Sequence, residues 1–232
     1  MSLIQAILVG VVAALTQFEG GWLGECKLRE PVVTGFLVGL ILGDVTKGLI
    51  IGAELQMMWM GATGIGPTAQ LNIGTGGTMG TAIALTTGKG AEIAITFGLP
   101  VAVIMQFLGT LLMTAYSGVM HHADKLIDQG KDKQVEYMHY LCGFCDFMMY
   151  FTLTFIVMYF GNGAIQGIVD SFPEWANAGM AAVSKILPAM GFALLLNLLL
   201  EKDLIPFFIL GFIITAYTDL TMVAVTAIAI GI

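Results

Sequence analysis

The sequence predicts an all-α polytopic membrane protein, a bundle of transmembrane helices with short broken or re-entrant hairpins and an amphipathic arm. Three observations lead there. Of 232 residues, 57% are hydrophobic and only 11% are charged, against roughly 25% charged in a soluble domain. So few charges cannot coat a globular surface, and a bilayer supplies the missing apolar solvent. The apolar runs are long and continuous rather than alternating with period two. Only helices and closed barrels can span a bilayer, because every backbone polar group must be satisfied internally, so runs of this pattern are helices. At roughly 20 apolar residues per crossing, a single integral membrane domain over residues 1–232 has room for about seven to nine full or partial crossings.

Composition also removes whole classes of function. The formal net charge is −7 with no basic patch, which argues against nucleic-acid binding. Three cysteines imply no disulfide framework. The first apolar run starts at Leu3 with no basic residue before it and no small-residue cleavage site, so no removable signal peptide is expected. There is no Ser/His/Asp constellation, no metal-spaced His/Cys cluster and no nucleotide loop. Gly88-Lys89-Gly90 lacks both the upstream glycine and the Ser or Thr of a phosphate loop. No catalytic residue, metal or cofactor is therefore expected.

Taken in order, residues 3–15 are apolar but short, and they run into Thr16-Gln17-Phe18-Glu19-Gly20-Gly21-Trp22. Two readings of residues 3–22 stand open, a tilted first helix or a re-entrant segment lining a cavity. Glu19 either faces a substrate path or is a solvated loop carboxylate. Glu25, Lys27, Arg29 and Glu30 form an interfacial charge cluster. Residues 32–51 are a second run with Pro31 at its first turn, where a missing N–H costs nothing. Gly35, Gly39 and Gly43 recur every four residues, followed by Gly48 and Gly52, a pattern that lets helices approach closely in lipid. Asp44 and Lys47 are spaced for a helix-end ion pair.

Residues 48–80 are the most unusual stretch. An apolar run takes in Glu54, Gln56 and Trp59, breaks at residues 61–67, presents Gln70 and Asn72, and resumes with glycine-laced sequence. Short or re-entrant helices are expected near residues 54–75, with Gly61, Gly64, Gly66 and Pro67 supplying irregular backbone. Broken helices whose free ends meet near the bilayer midplane are how secondary transporters build binding sites. Residues 92–116 form a long span containing Pro100 and Gln106, and residues 117–140 hold most of the remaining polar side chains and read as an amphipathic arm. Residues 141–160 are a further span. Its Cys142 and Cys145 read as small residues on a packing face, and Asp146 is either functional, as ionisable groups within spans are by default, or at headgroup level. Residues 161–178 read as a loop and 179–200 as a span. Residues 204–217 and 220–232 are two apolar runs of about 13 residues, each too short for a straight crossing.

The chemistry on offer is uncharged hydrogen bonding inside apolar sequence. Amides bond hydroxyls in both directions, and an indole packs on a sugar ring while its N–H donates. Glu54, Gln56, Trp59, Gln70, Asn72 and Glu19 are the candidate substrate-binding residues, and Gln106 and Asn197 belong to the same polar set. On a helix Gln56 and Trp59 share a face, whereas Glu54 lies roughly 160° from Gln56.

Several segments, in order and across nearly the whole chain, resemble the IIC permease component of the mannose–fructose–sorbose family of bacterial phosphotransferase systems. They are Pro31-Val32-Val33, Leu37-Val38-Gly39-Leu40-Ile41-Leu42-Gly43-Asp44, Gly48-Leu49-Ile50-Ile51-Gly52, His122-Ala123-Asp124-Lys125, Ile186-Leu187-Pro188-Ala189-Met190-Gly191-Phe192-Ala193 and Ile205-Pro206-Phe207-Phe208-Ile209-Leu210-Gly211-Phe212. The resemblance implies a multi-pass subunit of the bacterial cytoplasmic membrane that pairs with a IID membrane protein, as a trimer of IIC–IID pairs among lipid. It implies transport of a hexose or N-acetylated amino sugar, with phosphorylation by a IIB partner charged by IIA, so that the chain itself is no enzyme. Glu54-Leu55-Gln56 departs from the family's Thr-Leu-Glu, and Glu30 from its usual Arg, while Trp59-Met60-Gly61 is similar to the N-acetylgalactosamine branch. The alternative is an ion-coupled secondary transporter or channel for a small polar solute, with Glu54, Asp146 and Asp219 as coupling carboxylates.

Overall fold

The computed structural model describes residues 1–61 and 71–231, except the side chains of Asn162, Asn177 and Ser184. Gln70, Gly64, Gly66 and Pro67 therefore lie outside the described residues. Among the described residues the chain forms helices and no strand. The helices are α1 (Leu3–Phe18), α2 (Pro31–Leu42), α3 (Val45–Trp59), α4 (Ile73–Thr87), α5 (Ala91–Asp128), α6 (Asp132–Phe160), α7 (Asn162–Asp170), α8 (Glu174–Leu199), α9 (Ile205–Tyr217) and α10 (Met222–Gly231). Among the described residues, four segments are long and apolar enough to cross a membrane: Leu3–Leu23, which joins α1 to a π-helical turn at Glu19–Leu23, together with α5, α6 and α8.

Helix α4 is the axis of the fold, touching α1, α2, α3, α5, α6 and α7. Every residue from Gly74 to Ala84 is buried. Its sequence explains this. Gly74, Gly76, Gly77 and Gly80 remove the side chains that would hold neighbours away, and close packing needs that room. A Cβ at Gly80 would stand 2.5 Å from the Ala94 carbonyl oxygen of α5, and one at Gly74 would stand 2.5 Å from the Thr16 hydroxyl of α1. Thr78 donates its hydroxyl to the Gly74 carbonyl at 2.7 Å, so this polar side chain is satisfied within the helix.

The run at residues 32–51 is a hairpin rather than one helix. Gly43 sits at φ +90°, a left-handed backbone suited to glycine, and donates its N–H to the Gly39 carbonyl to close α2. Asp44 caps α3 by accepting the Lys47 N–H at 3.0 Å, and its other oxygen lies 3.9 Å from Lys47 Nζ. The glycine stripes then lock α2 against α3, backbone to backbone. A Cβ at Gly35 would meet the Gly48 carbonyl oxygen at 2.5 Å and Gly52 Cα at 2.9 Å. At about 18 and 22 Å, α2 and α3 are each shorter than the roughly 30 Å hydrocarbon core.

The polar stretch at residues 117–140 is no separate surface helix. The last third of α5 and the first turns of α6 run through it and reverse at Gly130, whose φ is +67°. Pro100 lies within the continuous α5. His121 and His122 are exposed on α5. Part of the loop expected at residues 161–178 is helix α7, with Val169 almost fully buried in the main core. Gly10 of α1 receives Phe151 of α6, which belongs to a stacked ladder of Phe147, Phe151, Phe155 and Tyr159 at one-turn spacing. On α6, Cys145 is exposed, and Gly143 between the cysteines is the packing residue, seated against the Trp22 ring. Helix α8 crosses the end of α3, where Gly61 faces the Gly191 carbonyl and Leu195. Helices α9 and α10 pack on each other and expose most of their apolar side chains.

Candidate functional site

Where α4 begins, the fold leaves a cavity of about 620 Å³ between α1, α5, α6 and the π-helical turn. Its polar lining comes from Thr16, Gln17, Arg29, Asn72, Gln106, Thr110, Asp146 and Tyr150, and Phe18, Trp22 and Met113 supply apolar faces. Asn72 lines it at the start of α4. The Asn72 Oδ1 caps α4 by accepting the Thr75 N–H at 3.0 Å, and its Nδ2 donates to Gln17 Oε1 at 2.9 Å. Its own N–H donates to the Ala102 carbonyl of α5 at 3.2 Å. One side chain thus ties the start of α4 to α1, while the Gln17 amide nitrogen stays available to the cavity. Placed at a helix N-terminus, the site also faces the positive end of the α4 dipole.

Glu19 is neither a solvated loop carboxylate nor a cavity-lining group. It is fully buried, and its two oxygens accept the backbone N–H groups of Lys27 at 2.5 Å and Arg29 at 2.7 Å. The carboxylate folds the charged loop back over the end of α1. That loop presents Arg29, whose Nη2 donates to both Glu25 oxygens at 2.9 and 3.1 Å while Nε lies 3.9 Å from Glu19. The Trp22 ring stacks on His139 of α6 at 4.4 Å, fixing the π-helical turn at the mouth.

The other candidates are dispersed. Gln56 Nε2 donates to Glu30 Oε2, and its Oε1 is buried without a partner. Trp59 is buried in the core cluster that also holds Ile51, Leu55 and Ala94, its indole N–H unpaired. Gly61 packs at the crossing with α8. Glu54 faces away from Gln56, as helix geometry requires, into a recess of about 260 Å³ with Lys47, Lys89 and Glu92. That recess is at the far end of α4, about 22 Å from Asn72 along the helix. Asn197 is exposed on α8 and Asp219 in the turn between α9 and α10, so Glu54, Asp146 and Asp219 do not converge. Among the described residues no cluster of His, Cys, Asp or Glu could hold a metal.

Sequence reasoning missed Gln17, Trp22, Thr110 and Tyr150 as cavity residues. The signal for the first two was present. Thr16 to Trp22 is a polar and aromatic end on an apolar run, and continuing α1 through the π-helical turn places it against the cavity. Tyr150 is 2% exposed and marked only by its position one turn after Asp146.

A membrane-embedded helical bundle with a cavity lined mainly by amides and hydroxyls at the tip of its central helix defines a permease for a polar solute. The chain belongs to the IIC family of phosphotransferase-system (PTS) sugar permeases, since the family model described as the sorbose-specific IIC component matches residues 3–232. N-acetylgalactosamine permease IIC component 1 of Escherichia coli K12 is 32% identical over 86% of this chain and 75% of its own. The fructose permease IIC component of Bacillus subtilis is 28% identical over 99% of this chain and 85% of its own. Among solved structures, one described as a membrane protein superposes with a TM-score of 0.88 at 27% identity, covering 100% of this chain and 94% of its own. The mannose transporter ManYZ with microcin E492 superposes at 0.64, with 27% identity, over 100% of this chain and 93% of its own.

Proposed function

We propose that this subunit binds a hexose or N-acetylated amino sugar in the cavity at the start of α4 and carries it across the bacterial cytoplasmic membrane for phosphorylation by a IIB partner. The observation that carries the reading is the cavity lining. Gln17, Asn72, Gln106 and Thr110 can donate to and accept from sugar hydroxyls, with Trp22 as an aromatic wall. A volume of about 620 Å³ is within the range of small-molecule sites and admits one monosaccharide with water. The sugar hydroxyl takes the phosphoryl group from a phosphorylated residue of IIB, loses its proton and leaves that residue unphosphorylated. The recharging of IIB from IIA follows. The chain supplies binding, orientation and passage. A IID membrane subunit completes the transporter, by analogy with the mannose transporter ManYZ, and the family resemblance favours a trimer of such pairs. The 32% identity to an N-acetylgalactosamine permease favours an amino sugar over the other hexoses.

The test is uptake in membrane vesicles carrying this chain, its IID partner and IIA/IIB. Sugar accumulation that requires phosphoenolpyruvate and survives collapse of the proton and sodium gradients is expected. Uptake driven by an ion gradient, with this chain alone, would overturn the reading.

A further inference from the structure

Two charged residues line the cavity, and only one of them is neutralised. Arg29 is held by Glu25 through Nη2 and stands beside buried Glu19. The only other basic side chain of that loop, Lys27, is exposed and lies 3.8 Å from Glu25 and 3.7 Å from Glu30. Three carboxylates therefore answer two cations in the loop. Asp146, half-buried on α6, has no ion-pair partner among the described residues. Its neighbours Tyr116, Tyr150, Cys142 and Cys145 offer no cation, though the Tyr116 hydroxyl, which donates to the Cys142 carbonyl at 2.8 Å, also stands within hydrogen-bond reach of the Asp146 carboxylate. Asp146 is thus an unpaired carboxylate on the cavity wall, in a low-dielectric surround where charge interactions reach further than in water, and the positive end of α4 offsets at most about half a charge.

We infer that Asp146 is a specificity-determining residue that bars anionic sugars from the cavity, so that the phosphorylated product does not rebind once formed. A neutral sugar meets Asp146 as a hydrogen-bond acceptor for its hydroxyls. The same sugar bearing a phosphate dianion meets it as a like charge, and Arg29, already shared by two carboxylates, gives little compensation. Group translocation would then run one way at the binding step as well as through the chemistry. The inference rests on the sugar-binding reading above and adds to it the exclusion of phosphate esters.

The experiment measures equilibrium binding to the purified IIC–IID complex in lipid nanodiscs. The probes are N-acetylgalactosamine, mannose, fructose and sorbose, each paired with its 6-phosphate. The quantity read is the ratio of the Kd for the 6-phosphate to the Kd for the free sugar. Asp146→Asn, isosteric and still able to hydrogen-bond, is expected to lower that ratio at least about tenfold. Asp146→Glu is expected to restore it. A ratio unchanged in Asp146→Asn, or one lowered equally in Asp146→Glu, overturns the charge assignment while leaving sugar binding standing. If the wild-type complex binds none of the four free sugars, the sugar-binding reading itself falls, and this inference with it.

Discussion

Replacing Gly35 by alanine tests whether backbone contact between α2 and α3 holds this hairpin together. The added methyl would stand 2.5 Å from the Gly48 carbonyl oxygen and 2.9 Å from Gly52 Cα. Both obstacles are backbone and cannot rotate aside, so the helices must part by roughly half an ångström, loosening every other glycine contact along the seam. Overpacking of this kind costs about 1–3 kcal/mol, with a rigid obstacle at the upper end. Alanine returns about 1 kcal/mol of helix propensity, leaving a net loss of about 2 kcal/mol. Gly118→Ala is the matched control. It makes the same change inside α5, but nothing lies within 4 Å of its Cβ, so only the propensity gain of about 1 kcal/mol remains. The assay is thermal unfolding of the purified protein in one detergent, read by the monodisperse fraction on gel filtration. At about 2–4 °C per kcal/mol for a chain of this size, Gly35→Ala should melt about 4–8 °C below wild type and Gly118→Ala at or above it. Equal melting of the two variants would show that the α2–α3 seam is not the close contact described.

Asn72→Ala should remove both the α4 cap and the bond to Gln17, lowering stability by about 1–2 kcal/mol and weakening sugar binding. Gln17→Ala combined with it should be less than additive by about 0.5–1.5 kcal/mol in a double-mutant cycle on binding, because the two share one hydrogen bond. Glu19→Gln leaves one of two part-buried N–H groups without its oxygen, at about 1 kcal/mol, and should open the charged loop. Limited tryptic cleavage after Lys27 and Arg29 should be faster than in wild type, and an unchanged rate would count against the loop anchor. Gln56→Ala and Glu30→Ala should have similar, strongly non-additive effects on uptake, since Gln56 Nε2 donates to Glu30 Oε2. Additive effects would mean that the bond does not persist in the transporting protein. Gly143→Ala should push the Trp22 ring off its seat, seen as a shift in tryptophan emission together with weaker sugar binding.

Much of the fold was legible because lipid imposes one rule on every segment. Long apolar runs had to be helices, and glycine repeats had to be seams, which is what Gly35, Gly39, Gly48 and Gly52 are. What local pattern could not tell was where a run reverses. Gly43 sits within apolar sequence that periodicity reads straight through, and the hairpin depends on its left-handed backbone and the Asp44 cap. The polar stretch at residues 117–140 looked like an arm lying on the membrane, yet two long helices simply continue into it. Residues 161–178 looked like a loop because glycine and polar residues mark its ends, while Val169 in the core holds a short helix there.

The site divides the same way. Uncharged amides with an aromatic partner inside apolar sequence were readable from composition and placement, and Asn72, one of those amides, lines the cavity. Which residues share a volume was not readable. Glu54, Gln56 and Trp59 are neighbours in sequence, but a helix turns about 100° per residue, so they face a recess, a partnered carboxylate and the core. Gln17, Asn72, Gln106 and Asp146 come from three helices and the cap of a fourth, up to 129 residues apart in sequence. The sequence by itself determined the membrane setting, the helical class and the chemistry that a permease of this family has to offer a sugar. The tertiary structure alone decided that the small residues of α4 draw α1, α5 and α6 close enough to enclose a cavity at its tip, because glycine packing brings together side chains that no periodicity relates.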